Sequence, residues 1–292
     1  MQKKSRKQNL ETIKNRTLDE ERALYALQNA TVESCTFSGP ADGESALKEA
    51  RNVQIKNCKF SLRYPFWHTE DFSVEHSRMD EGVRASLWYA KRGNISHCEI
   101  SGVKALRECE DISFSHCTIS SDEFGWRCKN VTLNDVAMTS QYFLFETKQG
   151  KLSNVTLKGK YSFQYTEDLV VEHCNLDTKD AFWHSKNVTV KDCTVKGEYL
   201  GWYSENLTLI NCKIIGTQPL CYCKNLTLID CTMEQTDLAF EYSTVNATVQ
   251  GHIDSVKNPA SGKIVADTIG EIVLEDSVIA TDCEIIERGN IA

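Results

Sequence analysis

From Asp168 to Tyr242 one phrase is repeated four times, as DLVVEHCNLDTKDAFWHSK from Asp168, NVTVKDCTVKGEYLGWYSE from Asn187, NLTLINCKIIGTQPLCYCK from Asn206 and NLTLIDCTMEQTDLAFEYS from Asn225. Each copy starts 19 residues after the previous one. A fixed period of this length means stacked, nearly identical units that complete one another's core. The 292 residues therefore read as a single elongated domain and not as two globular ones.

Within a unit, Val188 and Val190 face one way and Thr189 and Lys191 the other, which is strand periodicity. Cys193 and Val195 continue the apolar side after a phase change at Asp192, so a bend belongs there. The opening residue is nearly always Asn or Asp, types that tolerate left-handed backbone and bond locally in turns. The Asn-x-Thr/Ser triplets thus read as a turn ladder in preference to glycosylation acceptors. Earlier openings fall at Asn29, Asn52, Asp71, Asn94, Asp111 and Asn130, and a late one at Asn154. That delay predicts a protruding turn after Thr147 and a shortened wall beyond Gly159. Residues 1–16 read as a basic, frayed tail, residues 17–292 as the repeat domain, and the region from about 245 as a degraded capping segment.

Leucine-rich repeats are longer and have a convex side unlike GEYLGWYSE, and left-handed hexapeptide helices need an apolar residue every six positions. What remains is an all-β, right-handed, single-stranded parallel β-helix, the hand following from the crossover rule. About eleven or twelve coils would make a rod roughly 50 to 55 Å long. The phrases Asp42-GESALKE, Leu62-RYPFWH, Lys104-ALREC, Lys160-YSFQY, Asp180-AFWHSKNVTV, Gly216-TQPLCYC and Asp237-LAFE, from about Thr17 onward, resemble an uncharacterised bacterial family of the pectin-lyase-like β-helix superfamily. The resemblance implies the fold and carries over no residue role.

The net charge of -8 argues against a nucleic-acid partner, because phosphate binding needs a concentrated basic surface. No apolar run follows the basic start and none is long enough to cross a bilayer, so no membrane is expected and the expected location is cytoplasmic. The 13 cysteines are explained by position. Cys58, Cys117, Cys174, Cys193, Cys212 and Cys231 share one place in the coil, which reads as a buried ladder, and no paired spacing suggests a metal. No phosphate loop, HExxH or GxSxG is present, and no cofactor is expected.

The second half of the coil carries the candidate chemistry. Phe66-Trp67 and Phe182-Trp183 cannot both face inward on a regular strand, so either a bulge turns one ring or an aromatic column stands outside. The 19-residue register puts Trp67, Trp126, Phe145, Trp183, Trp202 and Phe240 in one column, with Lys48 and Arg107 in step. His68, Arg127, Glu146, His184, Tyr203, Tyr222 and Glu241 form the next. Exposed, these columns would suit a saccharide, with Trp67, Trp183 and Trp202 stacking on sugar faces and the polar column fixing hydroxyls. The same strip would also serve a scaffold protein as a homo-oligomer or partner interface. Should the chain be a carbohydrate lyase or hydrolase, the candidates for acid and base are His184, Asp180, Glu198 and Glu241, although Asp180 and His184 lie roughly 13 Å apart along one strand. His76, His97, His116 and His173 read as outward surface residues.

Overall fold

The computed structural model describes residues 11–289, so most of the basic tail lies outside the described residues. Residues 11–14 form a strand paired in parallel with Gln28–Glu33, and the stack accordingly starts inside the segment expected to be frayed. From there parallel strands follow one another through about 15 turns, ending with Asp282–Glu287. At the usual interstrand spacing the rod is about 70 Å long. The sequence count was low because it left out the rungs at Glu11–Lys14, Ser261–Ala266 and Asp282–Glu287, and two of the rungs it did include open on residues other than Asn or Asp. Arg92 and Gln149 occupy the left-handed opening corner, with φ of 53° and 57°.

Asn154 belongs to the second bend, where its amide donates to Asp135 at 3.1 Å. No turn protrudes after Thr147 and no wall is shortened, since Lys129–Phe143 and Lys148–Ser162 pair in an unbroken 19-residue register. Asn marks both bends of the coil, which is why the spacing alone misplaced this one.

The core is a set of inward columns. One runs Ile112, Val131, Gly150, Leu169, Val188, Leu207, with each residue stacked on its register mate. Gly93 interrupts that column because a methyl there would collide with the Phe72 ring below. Phenylalanines stack in the same way, Phe37 on Phe60 and Phe163 on Phe182, with centroids 4.5 Å apart in both pairs. The cysteine ladder holds, and Cys35 and Cys98 join it. Its thiols donate to nearby carbonyls, as Cys193 does to Lys191 O at 3.1 Å, so these small polar groups enter the core satisfied.

The corners explain the Asn content. Asn206 donates to Asn187 Oδ1 at 2.8 Å, and Asn225 donates to Asn206 Oδ1 at 2.7 Å. Outside the corners, column 51-70-91-110 alternates in sign between rungs: Arg51 pairs with Glu70, and Glu110 with both Lys91 and Lys129. Among the described residues, no helix is long and apolar enough to cross a membrane.

Past Gln250 the solenoid continues through Ser261–Ala266 to Asp282–Glu287, so the region from about 245 adds rungs to the stack.

Candidate functional site

The third side of the coil is built from tight turns. Asp180, Phe182 and His184 all have left-handed backbone (φ 52°, 61° and 54°), and the next coils repeat this at Tyr199, Gly201 and Tyr203, then at Gln218, Leu220 and Tyr222. Left-handed residues at every other position reset strand parity. Neighbouring aromatics thereby take opposite sides: Phe182 is fully buried while Trp183 is half-buried and outward. Phe66 and Trp67 divide in the same way.

Trp67, Trp126, Phe145, Trp183 and Trp202 thus line the outer surface, joined by Trp88. The coil containing Trp88 and Tyr89 spans 21 residues from Glu70 to Lys91, which took both out of the 19-residue count. The phrase LWYA, echoing GWYS, was the available signal. Phe240 does not belong to the column, being fully buried in the core. The coil from Tyr222 to Tyr242 is one residue longer than its predecessor, as the bonds Tyr203 N to Cys221 O and Tyr222 N to Glu241 O show. Glu241 therefore takes the Trp position, and Tyr242 follows Tyr222 in the His/Tyr column.

The indole faces are turned along the axis. Trp67 stacks on Trp88 with centroids 5.5 Å apart, and Trp183 on Trp202 at the same distance with planes 4° apart. Lys48 covers the outer face of the first stack, 4.3 Å from the Trp67 centroid, and Arg107 lies between Trp88 and Trp126 at 6.0 and 5.3 Å. The rings use their faces on one another and on cations, leaving their edges to solvent. Trp183 and Trp202 donate their N–H groups to Tyr199 O (2.6 Å) and Gln218 O (2.7 Å). The corresponding groups of Trp67, Trp88 and Trp126 are buried without a partner among the described residues.

The second column is more exposed. Tyr165, His184, Tyr203 and Tyr222 stack in an unbroken run with spacings of 4.9, 5.0 and 4.8 Å, and Tyr165 and Tyr203 are about half exposed. His68 stacks on Tyr89 at 5.0 Å. Between the two aromatic runs the column is charged, with Glu108 holding Arg127 at 3.4 Å and Glu146 exposed. Tyr222 donates to Glu241 at 3.3 Å. Burial first, and then the negative charge of Glu241, push its phenol up to about 12. Glu241 is also paired with Lys257 at 3.0 Å.

The candidate acids and bases are not brought together as a catalytic pair. Asp180 is buried with Oδ1 unpartnered, and burial raises its carboxyl above the usual range. Glu198 is held by Lys179 at 2.8 Å. His184 lies between two tyrosine rings, and Glu241 between Tyr222 and Lys257. Among the described residues no group of three or more His, Cys, Asp or Glu is placed to hold a metal ion. His76, His97 and His116 are exposed and stack at 4.8 and 4.9 Å on the second bend.

Residues 11–286 match the model of the family described as "Protein of unknown function (DUF3737)", and the chain belongs to that family. No curated protein matches the sequence. Among solved structures, it is similar to a surface adhesin of Streptococcus pneumoniae at 9% identity, covering 76% of this chain and 71% of the adhesin, with a TM-score of 0.38. It is also similar to the A-module of a mannuronan C-5 epimerase from Azotobacter vinelandii at 10% identity, covering 95% of this chain and 90% of that one, with a TM-score of 0.32.

Proposed function

Taking membership of that family and the geometry of the aromatic face as premises, we propose that the protein is a binding β-helix that holds an extended saccharide along its His/Tyr column. The observation that carries this reading is the run Tyr165, His184, Tyr203, Tyr222, in which rings about half exposed at Tyr165 and Tyr203 repeat once per rung at 4.8 to 5.0 Å. A column of phenol and imidazole groups offers one hydrogen-bonding position per rung to a polymer lying parallel to the axis. The half-buried indole edges beside it supply an apolar border. Because the indole faces are occupied by one another, sugars are held by edges and polar groups, and Trp67, Trp183 and Trp202 support the face from beneath. Glu146 and Arg127 add charged contacts where the rings give way to ion pairs. The reading is non-catalytic, since Asp180, Glu198 and Glu241 are committed to burial or to cations.

Titrating the protein with a panel of soluble neutral, acidic and amino polysaccharides while following tryptophan fluorescence tests this. A saturable change with at least one class is expected, and none with any class would overturn the proposal. The competing use of the same strip, as a subunit interface, is favoured by the exposed Tyr165 and Tyr203 rings. It predicts a dimer in light scattering that Tyr203→Ala dissociates.

A further inference from the structure

The inward columns are buried along the rod and open at its final rung. Ile253 and Val256 are fully buried, yet their register mates Ile269 and Ile272 are partly exposed, Ile272 by 42%. On the other wall Ile264 is fully buried, whereas its mate Ile285 is not, and neither is Cys283 beside it. Val278, at the same end, is 86% exposed. The strand Asp282–Glu287 pairs with Ser261–Ala266 on one side only, leaving its outer edge without a partner among the described residues. Open apolar columns next to a free strand edge make a surface built to be covered.

Charge decides which surface fits it. From Asp267 onward the sequence holds seven acidic residues against the single basic Arg288. Residues 1–27, through the first rung, hold seven basic residues against the four acidic Glu11, Asp19, Glu20 and Glu21. Two C-terminal ends face to face would bring like charges together, whereas the N-terminal end of a second copy is complementary. The strands of successive rungs are parallel throughout, so a coaxial copy in the same orientation continues the sheet without reversing direction. The register extends with it. Ile13 and Ile285 lie at opposite ends of one inward column, as do Glu11 and Cys283.

We propose that the protein self-associates head to tail, the open final rung of one copy receiving the strand Glu11–Lys14 of the next, with Ile13 over Ile285 and Glu11 over Cys283. Contacts of this kind are heterologous and do not close, so they yield chains of variable length.

Two measurements on the full chain test this. Sedimentation velocity on the wild type should show species beyond the dimer that grow with concentration and shorten as salt rises. Ile272→Lys, at a position already exposed, should weaken association about tenfold or more with an unchanged far-ultraviolet spectrum. In Glu11→Cys, the new thiol would stand one rung, about 4.8 Å, from Cys283 of the adjoining copy, within the Cα separation a disulfide spans. Oxidised glutathione, which takes up the two electrons, should then give a ladder of covalent multimers on a non-reducing gel, and adding Cys283→Ser should abolish it. A wild type that stays monomeric at low salt with no ladder from Glu11→Cys, or a closed dimer with no ladder, would overturn the proposal.

Discussion

Trp183 and Trp202 lie face to face across one rung, their ring centroids 5.5 Å apart and their planes 4° from parallel. Such a pair links consecutive coils as the core columns do, although it stands on the outer surface. Trp202→Ala removes the stack and the bond to Gln218 O, and should destabilise the protein by about 2 kcal/mol in urea unfolding. Trp202→Phe keeps a ring in place and should recover about half of that loss.

Asn206 both donates to Asn187 and accepts from Asn225, with φ of 55°. Asn206→Ala loses two side-chain bonds and the short polar side chain by which asparagine tolerates left-handed backbone, which together should cost about 2 kcal/mol. Asn206→Gly removes the backbone part of that penalty. Chemical denaturation should therefore rank the variants asparagine, glycine, alanine.

Asp180 carries a buried oxygen with no partner and a carboxyl held above its usual range, chiefly by burial. A raised carboxyl means that the folded state resists ionisation more than the unfolded chain does. This group's contribution is therefore fully present below the unfolded value and declines as pH rises through the folded one. Asp180→Asn keeps the left-handed corner and removes the charge. It should raise the melting temperature at pH 7 and leave it unchanged at pH 3, as differential scanning calorimetry would record.

Tyr222 should be among the last tyrosines to ionise, near pH 12, because burial and then Glu241 oppose the phenolate. A phenol raised above its unfolded value contributes stability that is fully present below about pH 10 and is lost as pH climbs through about 12. Glu241→Gln removes the charge and leaves the burial, so near-ultraviolet absorbance should show Tyr222 titrating earlier while still above an ordinary tyrosine.

The fold was legible because the chain itself fixes its period: Val188, Val190 and Cys193 recur where each rung needs them, and the Asn corners follow. The candidate face was legible only in part. Left-handed residues at Asp180, Phe182 and His184 reset side-chain direction, so strand parity did not determine which ring of Phe182-Trp183 turns inward. Coils of unequal length hid Trp88 and moved Phe240 and Glu241 by one column. Ring orientation was the larger gap. A column of tryptophans looks the same in sequence whether its faces look outward or along the axis, and only contacts between rungs, such as Lys48 over Trp67, distinguish the two.

The reading of the His/Tyr column as a saccharide-binding surface is tested most directly by calorimetric titration of the double variant His184→Ala/Tyr203→Ala with the polysaccharide that gives the strongest fluorescence response in the wild type. His76→Ala, on the second bend, serves as the control for an exposed histidine lost elsewhere. The account predicts a loss of affinity of about tenfold or more in the double variant and wild-type affinity in the control, corresponding to 1.4 kcal/mol or more at the face. Equal affinity in the wild type and the folded double variant would contradict it.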